Sequence, residues 1–267
     1  MDFDFELIAA PFRMQPGLRK LQPGDRQLTP LQPCSALHGE KARVVAAGAS
    51  RLQVPGFDPG PALAAIAEQA RREGHPDFPP DRLELAFEED FAVLDGDTGA
   101  LPWLSVCVPS HWAPEDKLGL PFAAVHAPVA DGATLIAAAA HLVRLATSGD
   151  RWERHVWTVS PSPRHDQHPR RHTRAPWPGD TGDDEAFARA CWFRAERQTF
   201  LPVGQGTRQA VFTIRVMLAP LAEAVDTPAK AARLREALAS MSPAVLDYKG
   251  LAPAREPLLR WLTGKTG

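Results

Sequence analysis

Tyrosine is almost missing from this chain: Tyr248 is the only one in 267 residues. Cysteine is scarce too. Cys34, Cys107 and Cys191 are odd in number and far apart, with no C-x-x-C pair. That excludes a disulfide framework, a zinc site built on paired cysteines and an iron–sulfur run, and it fits a reducing compartment. No charge of one sign dominates, with 30 Lys and Arg against 32 Asp and Glu and a net charge of −2. A nucleic-acid binder needs a cationic excess to neutralise phosphates, so that class is excluded. The Ala-rich stretch 133–146 is the nearest thing to an apolar run, and His141 and Arg144 interrupt it, so no membrane span is expected. The opening MDFDFELIAAPF carries acids where a secretory leader carries bases, which sets the expectation of a cytoplasmic protein. No glycine-rich nucleotide loop and no G-x-S-x-G elbow occurs. If the chain reduces anything, the electrons enter from another polypeptide.

What is present is an ordinary globular balance, 44% hydrophobic and 23% charged, punctuated by 27 prolines. A chain of this length buries roughly 70–75% of its unfolded surface and needs no covalent staple. Residues 1 to about 60 are broken so often by Pro and Gly that they read as an irregular arm with one short helix or strand, followed by a helix over 61–73. The runs 91–94 and 101–110 flank the turn-forming Asp95-Gly96-Asp97-Thr98-Gly99 and read as a hairpin. One helix is predicted from Pro114 to His126 and another from Ala133 to Ala146. Three strands follow at 151–160, 193–203 and 209–218, with a basic, exposed loop at 161–180 between the first two. Helices at 228–241 and 256–262 close the chain. Strands grouped on both sides of a helical crossover predict an α+β fold with an antiparallel sheet. The expected organisation is an arm and helix over 1–80, a core over 81–221 and a helical extension over 222–267.

Several words then become legible in order: EEDFAVL (88–94), VCVPSHW (106–112), EDKLG (115–119), VHAPV (125–129), RWERHVW (151–157), FRAERQTF (193–200) and VFTIRVMLAPL (211–221). HPRRH and APW fall within 168–177. Together, from the PFRMQPGLRKL stretch to about Leu221, the chain resembles the alpha-subunit family of haem-dependent oxidative N-demethylases, the dimethylamine mono-oxygenase type. The resemblance implies a PAS-like fold and haem b held by a histidine. It also implies oxidation of a small secondary or tertiary amine with O2, using NADPH electrons relayed by separate flavin and iron–sulfur partners. The pattern departs after ERQTF, where Leu201-Pro202 runs into Val203-Gly204-Gln205-Gly206 instead of an Arg-Leu-Pro segment.

The resemblance implies that the iron ligand lies on or just after the helix before the last three strands, where His126 sits. The bland reading is a ring that caps the helix before Pro128, and His155 is the second candidate ligand. Haem needs cations near its propionates and flat apolar surfaces on its macrocycle, which makes Lys117, Arg154, Arg197, Trp157 and Trp112 cofactor candidates. Period-two alternation puts Arg194, Glu196 and Gln198 on one face of a strand and Arg197 on the other. Glu196 suits a substrate ammonium and Arg194 suits an iron-bound oxygen, with Arg215 a weaker parallel; a structural ion pair is the alternative. His165, His168 and His172 invite a metal reading that Pro169 opposes, and a solvated basic loop or a docking surface for an acidic partner stands beside it. Cys107, mid-run among apolar residues, reads as core filler rather than a haem thiolate. A haem PAS sensor that binds gas without turnover is the alternative to catalysis.

Overall fold

The computed structural model describes residues 2–15, 17–130 and 132–266. The fold is α+β, with one antiparallel sheet in the order β1-β5-β6-β7-β3-β4-β2. The strands are β1 (Arg19–Lys20), β2 (Arg51–Gln53), β3 (Asp90–Asp95), β4 (Trp103–Ser105), β5 (Trp152–Ser160), β6 (Trp192–Pro202) and β7 (Gln209–Pro220). Helices α1 (Ala36–Ala46), α2 (Gly60–Arg72) and α3 (Leu83–Ala86) precede the β3–β4 hairpin. The crossover holds α4 (Phe122–His126), α5 (Ala133–Ala137) and α6 (Ala139–Ala146). Then come α7 (Asp184–Arg189), α8 (Leu221–Ala224), α9 (Pro228–Ala239), α10 (Pro243–Lys249) and α11 (Arg255–Lys265).

Because residues directly opposite in an antiparallel pair share a face, the register defines two surfaces. On the front, Arg154 lies against Gln198 and Ile214, Val156 against Glu196 and Val216, and Trp152 against Phe200 and Phe212. On the back, His155 aligns with Arg197 and Arg215, and Trp157 with Ala195 and Met217. The front is covered by Phe122 of α4, Val143 and Ala146 of α6, Trp112, and Leu37 and Val44 of α1. On the back, α2 packs Ala62, Ile66 and Ala70 on Phe91, Val93 and Val211. Phe3, Phe5 and Ile8 of the arm join α9–α11 over Trp157 and Phe193. Arm, sheet and C-terminal helices thus share cores.

Several expectations are corrected. The predicted helix from Pro114 to His126 is a 3-10 turn at Pro114–Asp116 followed by the separate helix α4. Gly119 takes φ +73 and Pro121 bridges to Ala100, which breaks the run. The predicted helix at 133–146 is two helices, α5 and α6. The run 101–110 pairs only over Trp103–Ser105. Beyond it, side chains capture the backbone: Asp90 accepts from Val108 N at 2.7 Å, Arg171 donates to Cys107 O at 2.9 Å, and Arg194 to Val108 O at 3.3 Å. The arm contains more order than one short element, since Ser35 caps the eleven-residue α1 and β1 and β2 extend both sheet edges. The loop 161–180 is not simply exposed: Asp166, Gln167 and His168 are buried. Glu40 of α1 accepts the backbone N–H groups of His165 and Asp166, at 3.2 and 2.7 Å, and draws the loop inward.

Candidate functional site

The helix α4 is short and is anchored from outside itself. Lys117 Nζ donates to Val125 O at 3.1 Å, placing a cation at the end of the helix where carbonyls lack partners. At that end, His126 Nδ1 lies 2.8 Å from Phe122 O, and the two ring centroids are 4.0 Å apart at a tilt of 30°. A carbonyl only accepts, so Nδ1 carries the proton and Nε2 keeps its lone pair. Burial holds this imidazole below its usual range, and the cations Arg154 and Lys117 push the same way against the Phe122 bond. The result is a neutral ring whose Nε2 makes no hydrogen bond among the described residues. This is the state in which histidine ligates a metal.

Arg154 projects from the front face of β5. Its Nε is buried with no hydrogen-bond partner among the described residues. Burial lowers its affinity for the proton, countered by the charges of Glu196 and Tyr248. A buried N–H donor without an acceptor is costly, so this position suits an anion that would accept from it. Trp152, two residues earlier, also has a buried, unpartnered Nε1 and packs with Phe200, Phe212 and Phe122. Phe200 and Phe212 stack at 4.9 Å. A flat apolar wall therefore adjoins the imidazole.

Glu196 is fixed from both sides. Ser110 donates a short hydrogen bond to one carboxylate oxygen, and Gln198 Nε2 donates to the other at 2.7 Å. Ser110 in turn accepts from Arg194 Nε at 2.8 Å. The remaining Arg194 donors reach Arg164 O, Val108 O and His165 O. Burial pushes Arg194 down to about 10, with Glu196 foremost among the carboxylates that oppose it, so it stays charged near neutrality. Arg194 is therefore a brace that holds Ser110 and two loops in place, and its donors are occupied. His111, next to Ser110, has φ +59, a left-handed turn uncommon outside glycine that sets Ser110 and Trp112 on the front face. Burial, then Arg174 and Arg194, push the His111 imidazole down to about 4.

The front face thus brings together His126, Lys117, Arg154, Glu196 and Arg194. Arg197, Arg215, His155 and Trp157 lie on the opposite face. Arg197 Nε bonds Glu153 at 2.8 Å and Arg215 Nε bonds Glu88 at 2.7 Å. These two arginines, with His155, line a back cavity of about 280 Å³ in which Asp2, Asp4, Asp25 and Glu153 offset the cations. Trp157 is 7% exposed and belongs to the back core. One group cannot touch both faces, so these four do not share a site with His126. The sequence reading also overlooked Ser110, Trp152, His111 and Tyr248. Ser110, His111 and Trp152 lie within quoted words, but only the folded chain reveals what they face.

The loop histidines face carboxylates one by one. His168 lies 3.0 Å from Glu115 and His172 3.1 Å from Asp166. Among the described residues no group of three or more His, Cys, Asp or Glu is arranged to hold a metal. Burial pushes the Cys107 thiol far up and Cys191 to about 12, so neither supplies a thiolate. No helix among the described residues is long and apolar enough to cross a membrane. The hairpin where the sequence departs from the resembled pattern has positive φ at Gly204, Gln205 and Gly206. It lies roughly 20 Å along β6 from Glu196, at about 3.3 Å per residue.

A family model described as haem-dependent oxidative N-demethylase, alpha subunit-like, matches residues 71–259. The match begins later than the resembled words, leaving out the arm, and runs past Leu221 through α9 and α10 into α11. It covers well over half of the chain, and on that ground the chain belongs to the haem-dependent oxidative N-demethylase alpha subunit-like family.

Proposed function

We propose that the front face would hold haem b, with His126 as the residue that binds its iron. In this reading the chain is the haem-carrying subunit of an O2-dependent oxidative N-demethylase acting on a small secondary or tertiary amine such as dimethylamine. One observation carries the reading: a neutral imidazole whose Nε2 makes no hydrogen bond among the described residues shares its face with the half-buried Arg154, whose Nε is also without a hydrogen-bond partner among them. The donor set fits haem, with His126 for the iron, Arg154 for a propionate, and Trp152 and Phe212 for the macrocycle. An antiparallel sheet with helices over its ligand-bearing face is also what a PAS-like haem domain requires.

Bound haem would supply redox chemistry with O2. The chain's own residues do the rest. Glu196, held by Ser110 and Gln198, presents a carboxylate to the substrate ammonium. Arg194 positions Ser110, and Lys117 positions α4. The helices and aromatic rings over the front face keep bulk water from the reacting centre. With no nucleotide loop in the sequence, NADPH electrons would arrive through separate flavin and iron–sulfur chains.

The test is the absorption spectrum of purified, haem-loaded protein, then aldehyde release from dimethylamine with O2 and an electron donor. A Soret band and aldehyde are expected. A Soret band with O2 binding but no aldehyde from any small methylamine would favour a gas sensor, and protein unable to take up haem would end the reading.

A further inference from the structure

None of the five residues of α4 is fully buried, so the place of His126 depends on what anchors the helix from outside. Phe122 N donates to Gly99 O at 2.8 Å, and Lys117 Nζ reaches Val125 O at the other end. Lys117 follows the 3-10 turn at Pro114–Asp116. The backbone N–H groups of Asp116, Lys117 and Leu118 return to Ala113 O and Pro114 O at 3.0–3.1 Å, so Glu115, Asp116 and Lys117 are carried by one hydrogen-bonded unit.

The loop at 161–180 grips that unit from the other side. His168 Nε2 lies 3.0 Å from Glu115 Oε2, and Arg170 Nη2 donates to Asp116 Oδ1 at 2.5 Å. Arg170 N donates to His168 Nδ1 at 3.1 Å, so Nδ1 keeps its lone pair and Nε2 carries the proton given to Glu115. The His168 side chain is 2% exposed and that of Glu115 is 42% exposed, so this bond pins an open turn to a closed part of the loop. Asp166, also buried, accepts from His168 N, Arg171 and His172 at 2.9–3.1 Å and binds 166–172 into a block. The same stretch of loop meets the other half of the candidate site. Gln167 N donates to Pro109 O at 3.0 Å. Arg194 donates to Arg164 O and His165 O, while its Nε holds the Ser110 that donates to Glu196.

We propose that His168 is a positioning residue of the front face: by holding Glu115 it sets the turn whose Lys117 anchors α4, and so fixes His126 relative to Glu196. The role deepens, and rests on, the reading of that face as the haem site. His168 acts through Glu115 and Lys117, and the helix it steadies has no buried residue of its own. Losing the bond should therefore loosen α4 well before it disturbs the paired strands β6 and β7, whose ladder it does not join.

The test is hydrogen exchange of the full chain, read on the amides of 120–130 and of β6 and β7, together with the Soret spectrum after haem loading. In His168→Leu the amides of 120–130 should exchange about 5- to 30-fold faster, the range of one lost hydrogen bond to a charged group, with β6 and β7 unchanged. The histidine-ligated spectrum should weaken in the same variant. His168→Gln, which can keep a donor towards Glu115, should stay within about threefold of wild type. Glu115→Ala removes the same bond from its exposed end and should reproduce the effect of His168→Leu, so the result does not depend on whether the buried change folds. Exchange at 120–130 that stays unchanged in both variants, or that rises equally in β6 and β7, overturns the positioning role and leaves the haem reading in place. Faster exchange with an unaltered spectrum overturns it as well. Wild type that takes up no haem ends the haem reading, and exchange at 120–130 then decides the anchoring of α4 by itself.

Discussion

Arg194 shows how much of a buried residue's meaning lies in its partners. At 2% exposed, it donates to Ser110 Oγ and to the carbonyls of Arg164, Val108 and His165. Alternation along β6 was enough to place it beside Glu196, but the carbonyl partners come from two loops that no local pattern encodes. Arg194→Met would leave these acceptors unpaired and should cost about 3 kcal/mol or more by denaturant unfolding. Glu89 is a second case. Burial raises its carboxyl to about 7, against an ordinary 4.5, and backbone donors only partly offset this. The folded chain keeps a proton that the unfolded chain has lost between those values, so Glu89 makes stability fall as pH rises through that window. Glu89→Gln should flatten the fall, a relative gain of roughly 2–4 kcal/mol above neutrality. Unfolding free energies measured across the window check this, and an unchanged slope would contradict it.

Elements with strong local patterns were the legible ones. The alternation in β5–β7 and the apolar stripe of α2 come from residues that meet their own faces, so periodicity found them. The arm was harder, because α1 is held by distant contacts. Lys41, fully buried, donates to Phe87 O, Glu88 O and Glu89 O at 3.0, 3.1 and 2.7 Å, with Asp90 3.3 Å away. The acids of EEDFAVL are there to receive this helix and Arg215, which sequence reading could not have known. Lys41→Met should cost about 3–5 kcal/mol, since it strands a buried carboxylate. The hairpin end gives a second check. A Cβ on Gly96 would meet Arg208 O at 2.4 Å and Thr147 Oγ1 at 2.6 Å. Gly96→Ala should therefore lower stability by about 1–3 kcal/mol, read as a fall in the thermal midpoint, whereas the same change at open Gly48 removes no space and is strained only by its φ of +65.

At the scale of the molecule, the decisive fact is that the sheet has two faces with different contents. The words in the sequence placed His126, Arg154, Glu196, Arg197, Arg215 and His155 in one neighbourhood of chain, and alternation alone separated only those on β6. The register assigns Arg154 and Glu196 to the front, and sends His155, Arg197 and Arg215 to the back, where Glu153 meets Arg197 and Asp2 and Glu88 meet Arg215. The C-terminal helices, first read as an extension, close the back core with Trp261. The most direct test of the account is a haem titration, followed by Soret absorbance, of wild type, His126→Ala and His155→Ala. The account predicts stoichiometric haem binding by wild type and by His155→Ala, with loss of the histidine-ligated spectrum in His126→Ala. Loss in His155→Ala with His126→Ala unchanged would put the cofactor on the other face and contradict it.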